Sequence, residues 1–270
     1  MNRTKIETVR NIDGSQGYTC SPITGCLNCT PEGLCGGHFP CWAYKLANGR
    51  LKERYLANSN VAEPTISYRV IGDPSIAYNP YQDPFYPRFW ESRLYEIRKA
   101  PKGAGIFVCD MGDLFGIGIP HAWTKAVMDA IKTRPNCRFY LYTKQYENLP
   151  LWSPFPENCY VGVSVTANGD MTRALIALSN IKASVRFISF EPLLGQIGFN
   201  DHMSIEGIVD WVIIGAQTKP KVMPRWEWVR EIIEAADKAN IPVFVKYSLL
   251  RGNPLNLRLH ELRQEFPKSL

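Results

Sequence analysis

The chain has 270 residues, of which 45% are hydrophobic and 12% aromatic, and its formal net charge is +6. A chain of this length and composition can bury a full core, so we expect a single domain over residues 1–270. No stretch approaches the roughly 18 consecutive apolar residues of a membrane span, and no apolar segment follows the charged start. The composition therefore argues against a membrane protein and predicts a soluble, cytoplasmic one.

The eight cysteines and the positive charge limit the class further. Nothing signals export, and cytosolic thiols stay reduced, so clustered cysteines indicate metal binding rather than disulfides. The charge modestly favours a polyanionic partner, although the sequence lacks the local Lys/Arg runs of a typical nucleic-acid-binding protein.

In chain order, residues 18–23 predict a first strand, residues 20–41 form a loop rich in glycine and cysteine, and residues 42–58 predict the first helix. Proline and aromatic residues crowd residues 72–88, which predicts a packed irregular loop. From residue 105 onward, apolar, β-branched or aromatic runs alternate with amphipathic stretches, as in repeated βα units around a parallel sheet. The predicted strands are residues 105–110, 137–143, 160–165, 185–190, 211–215 and 241–246, and the predicted helices are residues 122–133, 171–181 and 226–239. We therefore expect an α/β fold, a partial or complete TIM-type βα barrel, with residues 248–270 as a C-terminal closing segment.

The cysteine loop reads Cys20-SPITG-Cys26-LN-Cys29-TPEGL-Cys35-GGHFP-Cys41. Soft thiolates at this density suit zinc or an iron–sulfur cluster. Zinc is the weaker interpretation, because only Cys26 and Cys29 form the close pair that four-cysteine zinc sites usually repeat. His38 is a further candidate ligand, although a lone loop histidine is more often solvated. We expect the cysteines at or beside strands, Cys109, Cys137 and Cys159, to be small buried side chains.

Polar residues close or follow the predicted strands, at the positions where barrel enzymes carry their chemistry. They are Asp110, Asp113, Lys144, Ser164, Glu191, Gln217 and Lys246. Together they predict one polar pocket, although each alone also fits a helix cap or a structural ion pair. Gly162 and Gly215 would admit a ligand to the backbone or, equally, serve tight packing.

These motifs resemble the radical S-adenosylmethionine superfamily, and more closely a phage-associated family of unknown function similar in appearance to spore photoproduct lyase. The resemblance runs from residue 18 to residue 247 and is carried by stretches that include SPITGC, PCWAYKLA, MGDLFG and RFISFEPLLG. It implies that three cysteines hold a [4Fe–4S] cluster with one open iron. Cys26 matches the first ligand and Cys41 the last, but an insertion spreads the motif, so the middle ligand is Cys35, which we favour, or Cys29. Cys20 is a weaker candidate.

The resemblance implies that S-adenosylmethionine binds the open iron and is cleaved reductively to a 5′-deoxyadenosyl radical. Strand-end residues would then bind this cofactor, and by charge matching Lys and Glu side chains would serve the reaction. The candidate catalytic residues are Glu191, Lys246 and Lys144, and the candidate cofactor-binding residues are Asp110, Asp113, Ser164, Glu191 and Gln217. An electron donor such as flavodoxin or ferredoxin is implied as a partner.

A nucleic acid or a nucleotide is the expected substrate, from the positive charge, the aromatic residues in 78–90 and the likeness to a repair enzyme. One alternative is a zinc-stabilised nucleic-acid-binding protein without catalysis. Another is a metal-dependent hydrolase, which four histidines with no clustered ligand set disfavour.

Overall fold

A computed structural model describes residues 1–63, 79–199, 204–250 and 262–268. The chain divides into two compact units, Met1–Leu141 and Tyr142–Leu270. Within the described ranges, no helix has both the length and the apolar character that crossing a bilayer requires.

The first unit is built around parallel strands that alternate with helices. Its elements are β1 (Asn2–Arg3), β2 (Tyr18–Cys20), β3 (Ile23–Thr24), β4 (Leu34–Cys35), β5 (Phe39–Pro40), α1 (Trp42–Asn48), α2 (Lys52–Leu56), a 3-10 helix (Pro80–Gln82), β6 (Arg88–Phe89), α3 (Glu91–Arg98), β7 (Gly105–Val108), α4 (His121–Lys132) and the start of β8 (Arg138–Thr143). Strand β1 is antiparallel to β2, whereas β2, β7 and β8 run parallel in that order. Two short antiparallel pairs, β3–β6 and β4–β5, lie in the cysteine-rich part of this unit.

The second unit continues the alternation. Its elements are a 3-10 helix (Tyr146–Trp152), β9 (Cys159–Ser164), a 3-10 helix (Asn168–Asp170), α5 (Met171–Ser179), β10 (Val185–Phe190), β11 (Trp211–Ile214), β12 (Gln217–Thr218), β13 (Lys221–Val222), α6 (Trp226–Lys238), β14 (Val243–Val245) and a 3-10 helix (Tyr247–Leu249). Strands β9, β10, β11 and β14 run parallel in that order. Strands β12 and β13 form a short antiparallel hairpin.

The α/β class with a mostly parallel sheet of eight strands is therefore confirmed, while the TIM-type barrel and the single domain stay predictions. Strand β10 occupies the predicted residues 185–190. The predicted strand 105–110 ends early, because Cys109 takes a left-handed backbone with φ +61. The predicted helix 42–58 is broken into α1 and α2 at Gly49, which ends α1. Helix α3 and the β12–β13 hairpin were not predicted.

The proline-rich loop is organised by one buried arginine. Residues 72–78 lie outside the described residues, and residues 79–88 are irregular apart from one 3-10 helix. The fully buried guanidinium of Arg88 donates hydrogen bonds to five backbone carbonyls, those of Asn58, Pro80, Tyr81, Asp83 and Tyr86. These bonds satisfy a buried charge and fix the loop, as burial of a cation requires.

The core of the second unit contains a row of aromatic side chains across its strands. The Phe187 ring centroid lies 4.6 Å from that of Tyr142 and 5.7 Å from that of Trp211. A Cβ added at Gly162 would lie 2.1 Å from the Phe187 ring. Gly162 therefore serves packing rather than ligand approach.

The described part of the predicted closing segment, residues 262–268, lies beside β14. The Val245 N–H donates to the Arg263 carbonyl over 2.8 Å, and the Glu265 N–H donates to the Val243 carbonyl over 3.0 Å. Residues 251–261, where a short closing helix is expected, lie outside the described residues.

Candidate functional site

The cysteine loop of the first unit is held by turns on both sides. Gly25 precedes Cys26 with φ +85, and a Cβ there would lie 2.5 Å from the Phe85 carbonyl oxygen, so the close approach requires glycine. The Cys26 N–H donates to the same carbonyl over 3.0 Å. Cys35 closes the β4–β5 hairpin, and Cys41 is the N-cap of α1. A glycine turn, a hairpin and a helix N-terminus thus position Cys26, Cys35 and Cys41, respectively.

The thiols of Cys26, Cys29, Cys35 and Cys41 converge. The Cys29 thiol hydrogen-bonds with those of Cys35 and Cys41, and these bonds, with burial, raise the pKa of Cys29. Burial also raises the pKa of Cys26, and the nearby Asp113 carboxylate and the Cys35 and Cys41 thiols raise it further. Cys26, Cys29 and Cys35 are buried, and Cys41 is partly buried. We call these four residues the thiol cluster.

The donor chemistry of the thiol cluster fits a soft metal centre, because four thiols lie near one another. As the side chains stand, no group of three or more His, Cys, Asp or Glu side chains in the described ranges has the arrangement of a metal site. Binding would therefore require the thiols to lose their protons and turn from one another towards a common centre.

The remaining cysteines and His38 are placed differently. The Cys20 thiol donates to the Arg93 carbonyl over 3.7 Å, and burial raises its pKa to about 11. Cys109, Cys137 and Cys159 are buried, as expected of small core side chains. His38 is exposed, which agrees with a solvated loop histidine.

Two carboxylates of the first unit follow β7. Burial raises the pKa of Asp110, whose carboxylate accepts a short hydrogen bond from the Ser21 hydroxyl. Asp113 accepts the Phe115 N–H over 3.0 Å in a local turn, whereas the helix cap expected as the alternative is not formed here, since α4 begins at His121. Because the Asp113 charge also acts on Cys26, this carboxylate lies near the thiol cluster as well.

In the second unit, Glu191 and Lys246 form a two-pronged ion pair. The Lys246 Nζ lies 2.6 Å and 2.7 Å from the two Glu191 carboxylate oxygens, and the side chains are 12% and 30% exposed for Lys246 and Glu191. The residues follow β10 and β14, the two neighbours of β11. A Cβ at Gly215, just after β11, would lie 3.1 Å from the Glu191 Cγ, so glycine here makes room for the pair.

The other candidates of the second unit have more local surroundings. Ser164 is buried, and its carbonyl accepts the Tyr146 hydroxyl over 3.0 Å. The buried Gln217 amide donates to the Pro220 carbonyl over 2.8 Å, which ties the β12–β13 hairpin. Lys144 is half-buried at the end of β8. The predicted pocket formed jointly by all strand-end residues stays a prediction.

Sequence reasoning missed a polar network around Arg93 in the first unit. Its guanidinium donates to the Ser21 carbonyl over 2.6 Å and lies 4.3 Å from the centre of the Trp90 ring. The Trp90 indole N–H donates to the Thr24 hydroxyl over 2.8 Å. These residues support the backbone directly before the thiol cluster. No spacing signal marks them, because Arg93 lies on the helix α3 that the sequence pattern did not predict.

Comparison with known proteins gives one match. The model of a family described as a protein of unknown function, DUF5131, matches residues 5–249. Neither a curated protein nor a solved structure matches the chain. Since the match covers most of the sequence, including the thiol cluster and the Glu191–Lys246 pair, the chain belongs to the DUF5131 family.

Proposed function

We propose that this chain is a radical S-adenosylmethionine enzyme whose cysteine loop holds a [4Fe–4S] cluster. The observation that carries the proposal is the convergence of the thiol cluster directly after β2, a strand parallel to β7. Such a cluster, when bound, would supply the electron that cleaves S-adenosylmethionine to methionine and a 5′-deoxyadenosyl radical, which would take hydrogen from a substrate. An electron donor such as flavodoxin or ferredoxin would reduce the iron–sulfur cluster.

In this proposal, Cys26, Cys35 and Cys41 are the ligands, and one iron stays open for the cofactor. Phe85 and Met111 are buried against the thiol cluster, and Tyr44 packs on it, so these side chains would keep water from the site. Asp113, whose charge acts on Cys26, and Asp110, which follows β7, are the proposed cofactor-binding groups of the first unit.

The other candidate residues all belong to the second unit. Glu191, Lys246 and Lys144 are the proposed catalytic residues, and Ser164, Glu191 and Gln217 are proposed to bind the cofactor. The ion pair holds Glu191 and Lys246 in fixed positions before any ligand arrives, which is the preorganisation that a reactive site requires. A nucleic acid or a nucleotide is the proposed substrate class.

A second candidate is a zinc site with four thiolates that only stabilises the fold. The hydrogen bonds of the Cys29 thiol to Cys35 and Cys41 favour it, because a fourth thiol at the same point completes a closed tetrahedral ligand set. A closed set would leave no open position for S-adenosylmethionine, so the two candidates predict different metals and different chemistry.

Purification without oxygen, followed by metal and sulfide analysis, separates the candidates. We expect about four iron and four sulfide per chain, and formation of 5′-deoxyadenosine when the reduced protein meets S-adenosylmethionine. C26A should lose the iron, the sulfide and the product together. C159A is the matched control, since Cys159 is also buried but lies in β9, and it should keep all three.

Stoichiometric zinc without iron after anaerobic reconstitution would replace the first candidate by the second. An intact iron–sulfur centre that binds S-adenosylmethionine but never yields 5′-deoxyadenosine would contradict the enzymatic part of the proposal alone.

A further inference from the structure

The segment of residues 216–226, which contains the β12–β13 hairpin and ends at the first residue of α6, carries a concentrated positive charge. Residues 216–226 contain Lys219, Lys221 and Arg225 but no aspartate or glutamate. The side chains of all three cations are exposed, and so is Val222, at 42%. An unbroken cationic segment of this kind attracts polyanions more strongly than the modest net charge of the chain suggests.

Backbone pairing and one buried side chain order the β12–β13 hairpin. Gln217 pairs with Val222 and Thr218 with Lys221 across the two strands. The Gln217 amide is buried and donates to the Pro220 carbonyl at the tip, so this polar side chain ties the turn to the strand. The cations are therefore presented on an ordered support, which lowers the entropy cost of binding.

The hairpin also stands beside the proposed catalytic pair. It begins two residues after Gly215, whose Cβ position lies 3.1 Å from the Glu191 Cγ. The Ala216 N–H is held by the Ser248 hydroxyl at 3.0 Å, two residues after Lys246. Because Lys246 neutralises the Glu191 carboxylate at 2.6 Å, this carboxylate does not set up a repulsive field against an anion on the hairpin.

We propose that the segment of residues 216–226, which contains the β12–β13 hairpin and ends at the first residue of α6, binds the phosphate backbone of a nucleic acid strand. Lys219, Lys221 and Arg225 contact phosphates, and the exposed Val222 offers an apolar contact to a base or sugar. The inference deepens the proposed function by naming how its substrate class is held, and it rests on that function for the reaction but not for the binding.

The test is the affinity for short fluorescein-labelled single-stranded DNA and RNA, measured by anisotropy over a series of salt concentrations. K219A/K221A/R225A should lower the slope of log affinity against log salt by about 2, at roughly 0.7 per phosphate contact, which weakens binding by about 100-fold near 0.1 M salt. K219R/K221R, which keeps the charge, should bind as the wild type does.

A triple variant with the same loss of charge elsewhere in the second unit provides the control. K182A/R230A/K238A removes two exposed lysines and one exposed arginine that lie before β10 or on α6, outside the hairpin. This control should bind nearly as the wild type does. Equal loss in both triple variants would overturn the inference, because it would reflect net charge alone.

Three further results would also overturn the inference. The first two are wild-type affinity of K219A/K221A/R225A and no binding of DNA or RNA by the wild type at low salt. The third is displacement of the labelled strand by polyglutamate as readily as by unlabelled nucleic acid, which would indicate an acidic protein partner. Measuring binding with and without chelator separates the inference from the proposed function. A protein with zinc and no iron that still binds through the hairpin contradicts only the proposed function, whereas an iron-containing, cofactor-cleaving protein that binds no nucleic acid contradicts only this inference.

Discussion

Breaking the Glu191–Lys246 pair should destabilise the second unit measurably. K246M removes an ammonium that lies 2.6 Å and 2.7 Å from both Glu191 oxygens and leaves the carboxylate without its partner. Breaking a fully buried pair costs about 3–5 kcal/mol, whereas exposed pairs contribute about 0–1 kcal/mol. Lys246 is 12% exposed and Glu191 30%, so this pair lies between the two cases and we expect a loss of about 2 kcal/mol.

Urea denaturation of the wild type, K246M, E191Q and the double variant measures this loss as a double-mutant cycle. The double variant should be less destabilised than the sum of the single variants, by about 2 kcal/mol of coupling. Lys125 and Asp129 on α4 form an exposed pair at 2.6 Å, so K125M is the control and should cost less than about 1 kcal/mol. A loss below about 0.5 kcal/mol in K246M would refute the reasoning that burial strengthens this pair.

G162A should destabilise the protein by about 1–3 kcal/mol in urea, because its Cβ would lie 2.1 Å from the Phe187 ring, while G169A, with open space around it, should not; equal effects would contradict the packing argument. N240A should cost about 1 kcal/mol and N240G should not, because Asn240, two residues after the last residue of α6, has φ +54; similar stability of N240A and N240G would count against strain at this position. Burial raises the pKa of Asp110 above its ordinary value of 3.8, so the folded state keeps this proton to higher pH than the unfolded chain. The wild type should therefore lose stability relative to D110N as the pH rises above about 4, and urea midpoints at acid and neutral pH should show the difference growing; a shrinking difference would contradict the burial argument.

The local sequence pattern was sufficient to locate an element where a continuous, mostly apolar run forms a single strand. Strand β10 is a buried apolar segment, and residues 185–190 were predicted with its bounds. Pattern failed where a single backbone conformation intervenes, as at Cys109 with φ +61, which ends β7 two residues early. It failed also for α3, whose first residues directly follow a proline-rich stretch and whose apolar positions are few.

In the candidate site, the sequence pattern likewise identified single residues but not the contacts between them. Glu191 and Lys246 were identified singly, because each follows a strand, but their contact spans 55 residues and depends on the parallel order of β10, β11 and β14. Spacing also left Cys29 and Cys35 as alternatives. The fold brings both to one cluster, because the turn over residues 30–34 places Cys35 opposite Cys29. Neither contact follows a regular spacing that a sequence pattern could reveal.

A comparison of two neighbouring thiols, those of Cys29 and Cys35, tests whether the cysteine loop holds an iron–sulfur cluster with an open iron. Iron, sulfide and zinc should be measured in C29A and C35A after anaerobic purification, with electron paramagnetic resonance of the reduced proteins before and after adding S-adenosylmethionine. With Cys35 as the middle ligand, C29A should keep iron and sulfide and its spectrum should change with S-adenosylmethionine, whereas C35A should lose the cluster. Zinc in the wild type that both substitutions release would contradict this prediction, because the thiol cluster would then be a closed four-thiolate site.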